Sequence, residues 1–160
     1  MLTRIVSNRV YDFSHVVGGR QLTGIFQVAL GKGDDVYLVI RRRNGGNVTK
    51  LSIGLEPGDE EIIGELGSDG KGGALTTKLK DYYSDDTNFV WPTGIAVDSE
   101  ENVYVSDEWL HRITVFDADG KVVKFIGSPG SDPGQFNGPS GIAVDDNDDI
   151  YVVDSMNHRV

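Results

Sequence analysis

Phe89 to Ile113 reads F-V-W-P-T-G-I-A-V-D-S-E-E-N-V-Y-V-S-D-E-W-L-H-R-I, and Phe136 to Val160 reads F-N-G-P-S-G-I-A-V-D-D-N-D-D-I-Y-V-V-D-S-M-N-H-R-V. The two stretches align without a gap, 47 residues apart, and 12 of their 25 positions are identical. Most of the other positions are mild exchanges, such as Thr93 for Ser140 and Val103 for Ile150. A duplicated unit of this length decides the architecture before any single residue does. Gly94 to Val97 is a short apolar run, as expected of a strand buried on both faces. Asp98 to Glu101 is a polar turn, and Asn102 to Ser106, rich in Val and Tyr, is a second strand. Asp107 to His111 turns the chain again. Arg112 to Phe116 alternates polar and apolar residues, which predicts a half-buried third strand. Asp117-Ala-Asp-Gly120 is a hairpin turn whose glycine can take a positive φ. Lys121 to Ile126 is the fourth strand, and Gly127 to Gln135 leads to the next unit.

Four short antiparallel strands recurring at this period make one blade of a β-propeller. The sequence therefore predicts an all-β chain of four-stranded antiparallel blades. The second blade occupies 89–127 and the start of a third 136–160. A weaker copy lies upstream. Val28 to Leu38 matches Ile95 to Val105 at an offset of 67 residues, which sets a first blade at 24–64. Its third strand is expected at Asn47 to Ile53 and its fourth at Glu60 to Gly64. The longer offset leaves an insertion at 65–88, read as a long surface loop with a helical turn around Leu75 to Tyr83. Arg9 to Gly18 resembles a fourth strand without its first three. A strand at 9–18 that completes the last blade would fasten the ring and remove an exposed edge. The given residues make about two and a half blades, and a propeller needs at least about four to close. The expectation is a portion of a longer chain.

Composition narrows the function classes. The 160 residues include 21 glycines and 5 prolines, which favours frequent turns over long helices. No run approaches the roughly 18 apolar residues of a membrane span, and Met1 to Arg9 lacks the apolar core of a secretion signal. The expectation is a soluble protein. Absence of cysteine excludes disulfides, thiolate zinc sites and a cysteine nucleophile. A formal charge of −10 repels phosphate backbones, so nucleic acid is an unlikely partner, and Arg41 to Arg43 is too short a basic run to reverse that. Asp145-Asp-Asn-Asp-Asp149 lacks the spacing and terminal Glu of an EF-hand and falls where a hairpin turn belongs. No phosphate loop and no nucleophile elbow occurs.

Pro139-Ser-Gly-Ile-Ala-Val-Asp145, Ile150-Tyr-Val-Val-Asp154 and Asn157-His-Arg-Val160 together resemble the NHL repeat. Pro92 to Asp98, Val103 to Asp107 and His111 to Ile113 resemble it nearly as well, with Leu110 where the pattern prefers Asn. The resemblance implies a six-bladed propeller in the full chain, with the first strand of each blade lining a central channel. It also places the residue between Pro and Gly, Thr93 and Ser140, at one mouth of that channel. Gln27 is taken as the matching position of the first blade. Peptidylglycine amidating lyases, to which the family is similar, put zinc-binding His at this place, and calcium-dependent lactonase propellers put Asn. Two hydroxyls are poor zinc ligands, so the visible residues imply no cofactor. Zn or Ca would have to be held by other blades, although the Gln27 amide could ligate a hard cation. His111 and His158 are read as turn-locking residues rather than metal ligands, bonded across the turn to Asp107 and Asp154 through imidazole or backbone groups. Arg112 and Arg159 are expected to pair with a carboxylate of their own or the adjacent blade.

The resulting functional expectation is a binding or scaffold module whose face contacts a protein, peptide or small ligand. Tyr82, Tyr83, Trp91 and Trp109 are the candidate anchors, set against the simpler reading that the tryptophans only pack between blades. The alternative is a metal-dependent lyase or hydrolase of the amidating-lyase or lactonase type, with its ligands mostly in other blades.

Overall fold

The computed structural model describes residues 3–6, 9–12, 24–42, 45–53, 61–66 and 89–160. Strands β1 (Thr3–Val6) and β2 (Arg9–Asp12) form an antiparallel hairpin. Of the expected closing strand, 9–12 is therefore paired with β1, and 13–18 lies outside the described residues, as does 67–88 with Tyr82, Tyr83 and the expected helical turn.

The first blade contains β3 (Ile25–Leu30), β4 (Asp35–Arg42), β5 (Gly45–Ser52) and β6 (Glu61–Leu66) in sequential antiparallel order. β6 runs two residues beyond the expected fourth strand because Leu66 is drawn into the core between blades. The second blade has the same order, with β7 (Pro92–Val97), β8 (Val103–Asp107), β9 (Arg112–Phe116) and β10 (Val122–Ile126). The third begins with β11 (Pro139–Val144) and β12 (Ile150–Asp154), followed by a 3-10 turn, Ser155–Asn157. The expected all-β, four-stranded antiparallel blade is the observed one.

The first strands carry the same irregularity. The ladder shifts between Ile25 and Gln27, between Pro92 and Gly94, and between Pro139 and Ile142. A bulge here bends the innermost strand and raises its twist, as a sheet standing radially around an axis needs. β7 lies against β3 on one side and β11 on the other, so adjacent blades meet through their inner strands. Gly94 permits this approach: a Cβ there would collide with the backbone oxygen of Ser140.

Two apolar layers fill the wedges. Between the first and second blades lie Tyr37, Val39, Val48, Leu66, Phe89, Ile95, Val103, Val105 and Phe116. Between the second and third, Ala96, Tyr104, Ile113, Val115 and Ile142 pack together. This corrects the expectation of a half-buried third strand. Phe116 points to one neighbour and Ile113 and Val115 to the other, so Ile113 to Phe116 is buried throughout. The same effect separates equivalent tyrosines. Tyr104, covered by β11, is 7% exposed, whereas Tyr151 on the third blade is 49% exposed.

Candidate binding rim

One end of the blades gathers the starts of the first strands and the turns that follow the second strands. Asp107 organises it. Its carboxylate is fully buried and accepts four backbone N–H bonds. Oδ2 takes Val90 (2.7 Å) and Trp91 (3.0 Å), and Oδ1 takes Trp109 (3.0 Å) and Leu110 (3.0 Å). Burial pushes its carboxyl above the ordinary value, and the four N–H bonds draw it only partly back. One carboxylate thus fixes the backbone at both tryptophans. Their side chains point to solvent, Trp91 44% and Trp109 55% exposed, so neither is spent wholly on packing between blades.

Arg41 joins this rim from the first blade. Its guanidinium carbon lies 3.4 Å from the Phe26 ring centroid and 4.4 Å from that of Trp91. Glycines make the approach possible. A Cβ on Gly24 would strike the Arg41 carbonyl oxygen, and one on Gly46 would strike the Pro92 ring. Burial lowers the Arg41 guanidinium from its ordinary value, while the charge of Glu108 acts to raise it. By ladder register, Ile40, Asp107 and Asp154 hold equivalent places, so Arg41, Glu108 and Ser155 follow one another around the rim.

The expected channel-mouth residues serve the joints between blades. Thr93 Oγ1 donates to the Pro139 carbonyl at 3.0 Å and lies 3.2 Å from Ser106 Oγ. Ser106 Oγ donates to the Ser140 carbonyl, and Ser140 Oγ lies 2.6 Å from Ser155 Oγ. Gln27 accepts from the Ile95 amide at 3.2 Å. Gln27 is also one step from its expected place. It pairs with Val39 as Gly94 pairs with Ser106, so the residue matching Thr93 is Phe26. The 67-residue offset that sets the first blade gives the same match, Phe26 opposite Thr93 and Gln27 opposite Gly94. Among the described residues, no three His, Cys, Asp or Glu side chains converge as a metal site.

His111 does not bond to Asp107 through its imidazole. It adopts a left-handed backbone (φ 52°), and its Nδ1 accepts from the Gly138 amide of the third blade at 3.1 Å. The turn is locked instead by backbone N–H groups on Asp107. His158 has the same left-handed backbone (φ 54°). Arg112 stacks over Phe125, 4.1 Å from its centroid. Arg159 pairs with Asp154 of its own blade, Nε to Oδ2 at 2.8 Å. It also donates to the carbonyls of Ser131, Asp132 and Gln135, while Asn157 donates to Gly130 and Asp154. The Asp-Asn-Arg set thereby straps down the connection that enters the third blade. Burial raises the Asp154 carboxyl, but Asn157, the Asn137 N–H and Arg159 outweigh it and hold it below the ordinary range.

The NHL repeat family matches residues 89–116 and 136–160. These two matched stretches make up about a third of the chain. The chain is similar to a solved structure titled an auxiliary nutrient binding protein from Bacteroides thetaiotaomicron VPI-5482, at 20% identity and a TM-score of 0.52. That similarity covers 79% of this chain and 33% of the other, so this chain spans about a third of that protein's length. No curated protein sequence matches the chain.

Both matched repeats use one turn chemistry at the opposite end of the blade. Asp98 Oδ1 accepts from the Glu100 and Asn102 amides, and Oδ2 from the Tyr104 hydroxyl at 2.9 Å. Asp145 does the same with Asn147, Asp149 and Tyr151. The acidic run is thus a turn whose first carboxylate is occupied by the turn itself. Beside it is a device that sequence reasoning missed. Glu101 (φ 69°) and Asp148 (φ 61°) sit at equivalent left-handed positions. Glu101 accepts from the Lys32 amide of the first blade at 2.6 Å, and Asp148 from the Ser99 amide and hydroxyl of the second. Each of these turns thus clasps the blade before it. The available signal was an acidic residue recurring after 47 positions.

Proposed function

We propose that these blades form a binding module whose ligand face is the rim of Phe26, Arg41, Trp91, Glu108 and Trp109. The observation that carries this reading is the pair of solvent-facing tryptophans whose backbones are fixed by one buried carboxylate. Large aromatic side chains held on a rigid backbone offer contact area at little entropic cost, which is what a binding face requires. The description of the similar solved structure as a nutrient binding protein supports the same class. The first-strand hydroxyl of Thr93, bonded to the next blade, favours this reading over a metal-dependent lyase or hydrolase. The test is a ligand screen read by tryptophan emission. A true ligand shifts the emission of the parent chain, and Trp91→Ala or Trp109→Ala weakens binding at unchanged circular dichroism. Ligands that bind equally well to both variants would place the face elsewhere.

A further inference from the structure

Arg41 is the rim group whose chemistry the joints do not use. A guanidinium stacked on aromatic rings keeps its five N–H donors in its own plane, as a fork. The Phe26 and Trp91 rings both lie against the Arg41 guanidinium, 3.4 Å and 4.4 Å from its carbon. Among the described residues, no carboxylate lies within ion-pair distance of it, the ion pairs there being Lys50–Asp35 and Arg159–Asp154. Stacking also removes much of the side-chain freedom that an exposed arginine would lose on binding. Such a fork matches a planar carboxylate through two parallel charge-assisted bonds.

We infer that Arg41, held against Phe26 and Trp91, binds the carboxylate of an organic acid, either a small free acid or the C-terminus of a peptide. This inference rests on reading the rim as a ligand face. Glu108, at the equivalent place of the next blade, sets the limit on charge. It tolerates a monoanion beside the fork and opposes a dianion such as phosphate. The chain's net charge of −10 acts in the same sense.

The chain reports on this site by itself, because Trp91 and Trp109 are its two tryptophans. Tryptophan emission is titrated with benzoate, with a short N-acetylated peptide ending in a free carboxylate, with the same peptide as its C-terminal amide, and with inorganic phosphate. The expected result is saturation by at least one of the two carboxylates, with little response to amide or phosphate. Saturation by benzoate alone identifies a small acid as the source, and saturation by the peptide acid alone identifies a chain terminus. Arg41→Met keeps an apolar stem against the rings and is expected to weaken binding about tenfold or more. Arg41→Lys, which keeps charge but loses the fork, is expected to lose most of the affinity too. Glu108→Gln is expected to tighten it. Equal affinity for acid and amide, unchanged in Arg41→Met, overturns the carboxylate assignment and leaves the rim standing. A phosphate response equal to that of the carboxylates also overturns it. No saturable response to any probe, with the folded spectrum intact, overturns the inference. The rim reading falls separately, if ligands found by screening bind Trp91→Ala and Trp109→Ala as tightly as the parent.

Discussion

Asp107→Asn tests whether one buried carboxylate holds the rim. The native group offers two acceptor oxygens to four backbone N–H groups, two on each oxygen. An amide has one oxygen. Whichever way it turns, its NH2 faces either Val90 and Trp91 or Trp109 and Leu110. Two N–H groups then lose their acceptor in a site closed to water. An unsatisfied buried donor costs about 1–3 kcal/mol, so the pair costs about 2–6 kcal/mol. Removing a buried charge returns part of that, which leaves an expected loss of about 2–4 kcal/mol. For a chain of this size each kcal/mol lowers Tm by about 2–4 °C, so the variant should melt about 4–16 °C lower. Thermal unfolding by circular dichroism measures the shift, and tryptophan emission reports whether the rim loosens with it. Asp117→Asn is the control. Asp117 also accepts two backbone N–H bonds, but on an exposed turn where water replaces them, and its cost should stay below about 1 kcal/mol. If Asp107→Asn melts within about 2 °C of the parent with unchanged emission, the buried carboxylate is not the organiser of this rim.

The blade joints and turns lead to three further expectations. Gly94→Ala puts a Cβ against the Ser140 backbone oxygen, whereas at the matching Gly141 the nearest atom is Val153 Cγ2 at 3.4 Å; urea unfolding should show a loss of about 1–3 kcal/mol for the first and much less for the second. The Asp154 carboxyl lies below its ordinary value, so its contribution is present above about pH 4 and is lost as pH falls through the lower folded value. Asp154→Asn should therefore cost about 1–3 kcal/mol at neutral pH, and denaturation at a series of pH values should show the gap to the parent closing in acid. Burial and its bond to Asp98 push the Tyr104 hydroxyl up to about 12. The stability tied to it is complete below about pH 10 and is lost as pH rises through the folded value of about 12; ultraviolet titration should show one tyrosine ionising late, and Asp98→Asn should bring it down.

The second and third blades were legible because their turn chemistry is local. An Asp that caps its own turn and takes a Tyr hydroxyl six residues on leaves its mark in one short stretch. The first blade was harder. Gly31 stands where Asp98 and Asp145 stand and the Pro-x-Gly landmark is absent, although the 67-residue offset does set Phe26, not Gln27, opposite Thr93. The role of His111 was only half legible, since its partner, Gly138, lies 27 residues away in the next blade. Burial of Ile113 to Phe116 depends on two neighbouring sheets at once, and an alternating pattern within one strand does not record that. The rim was visible as two tryptophans, but Phe26 and Arg41 reach it only through folding of the first blade against Trp91.

The account stands on adjacent radial sheets pressed together at their inner strands, and nuclear Overhauser spectroscopy reads that contact directly. The Gly94 α protons should show strong cross-peaks to the Ile142 γ2 methyl, since that methyl carbon lies 3.0 Å from where a Gly94 Cβ would stand. Absence of those peaks, with sequential helical connectivities anywhere from Thr93 to Ile126, would contradict it.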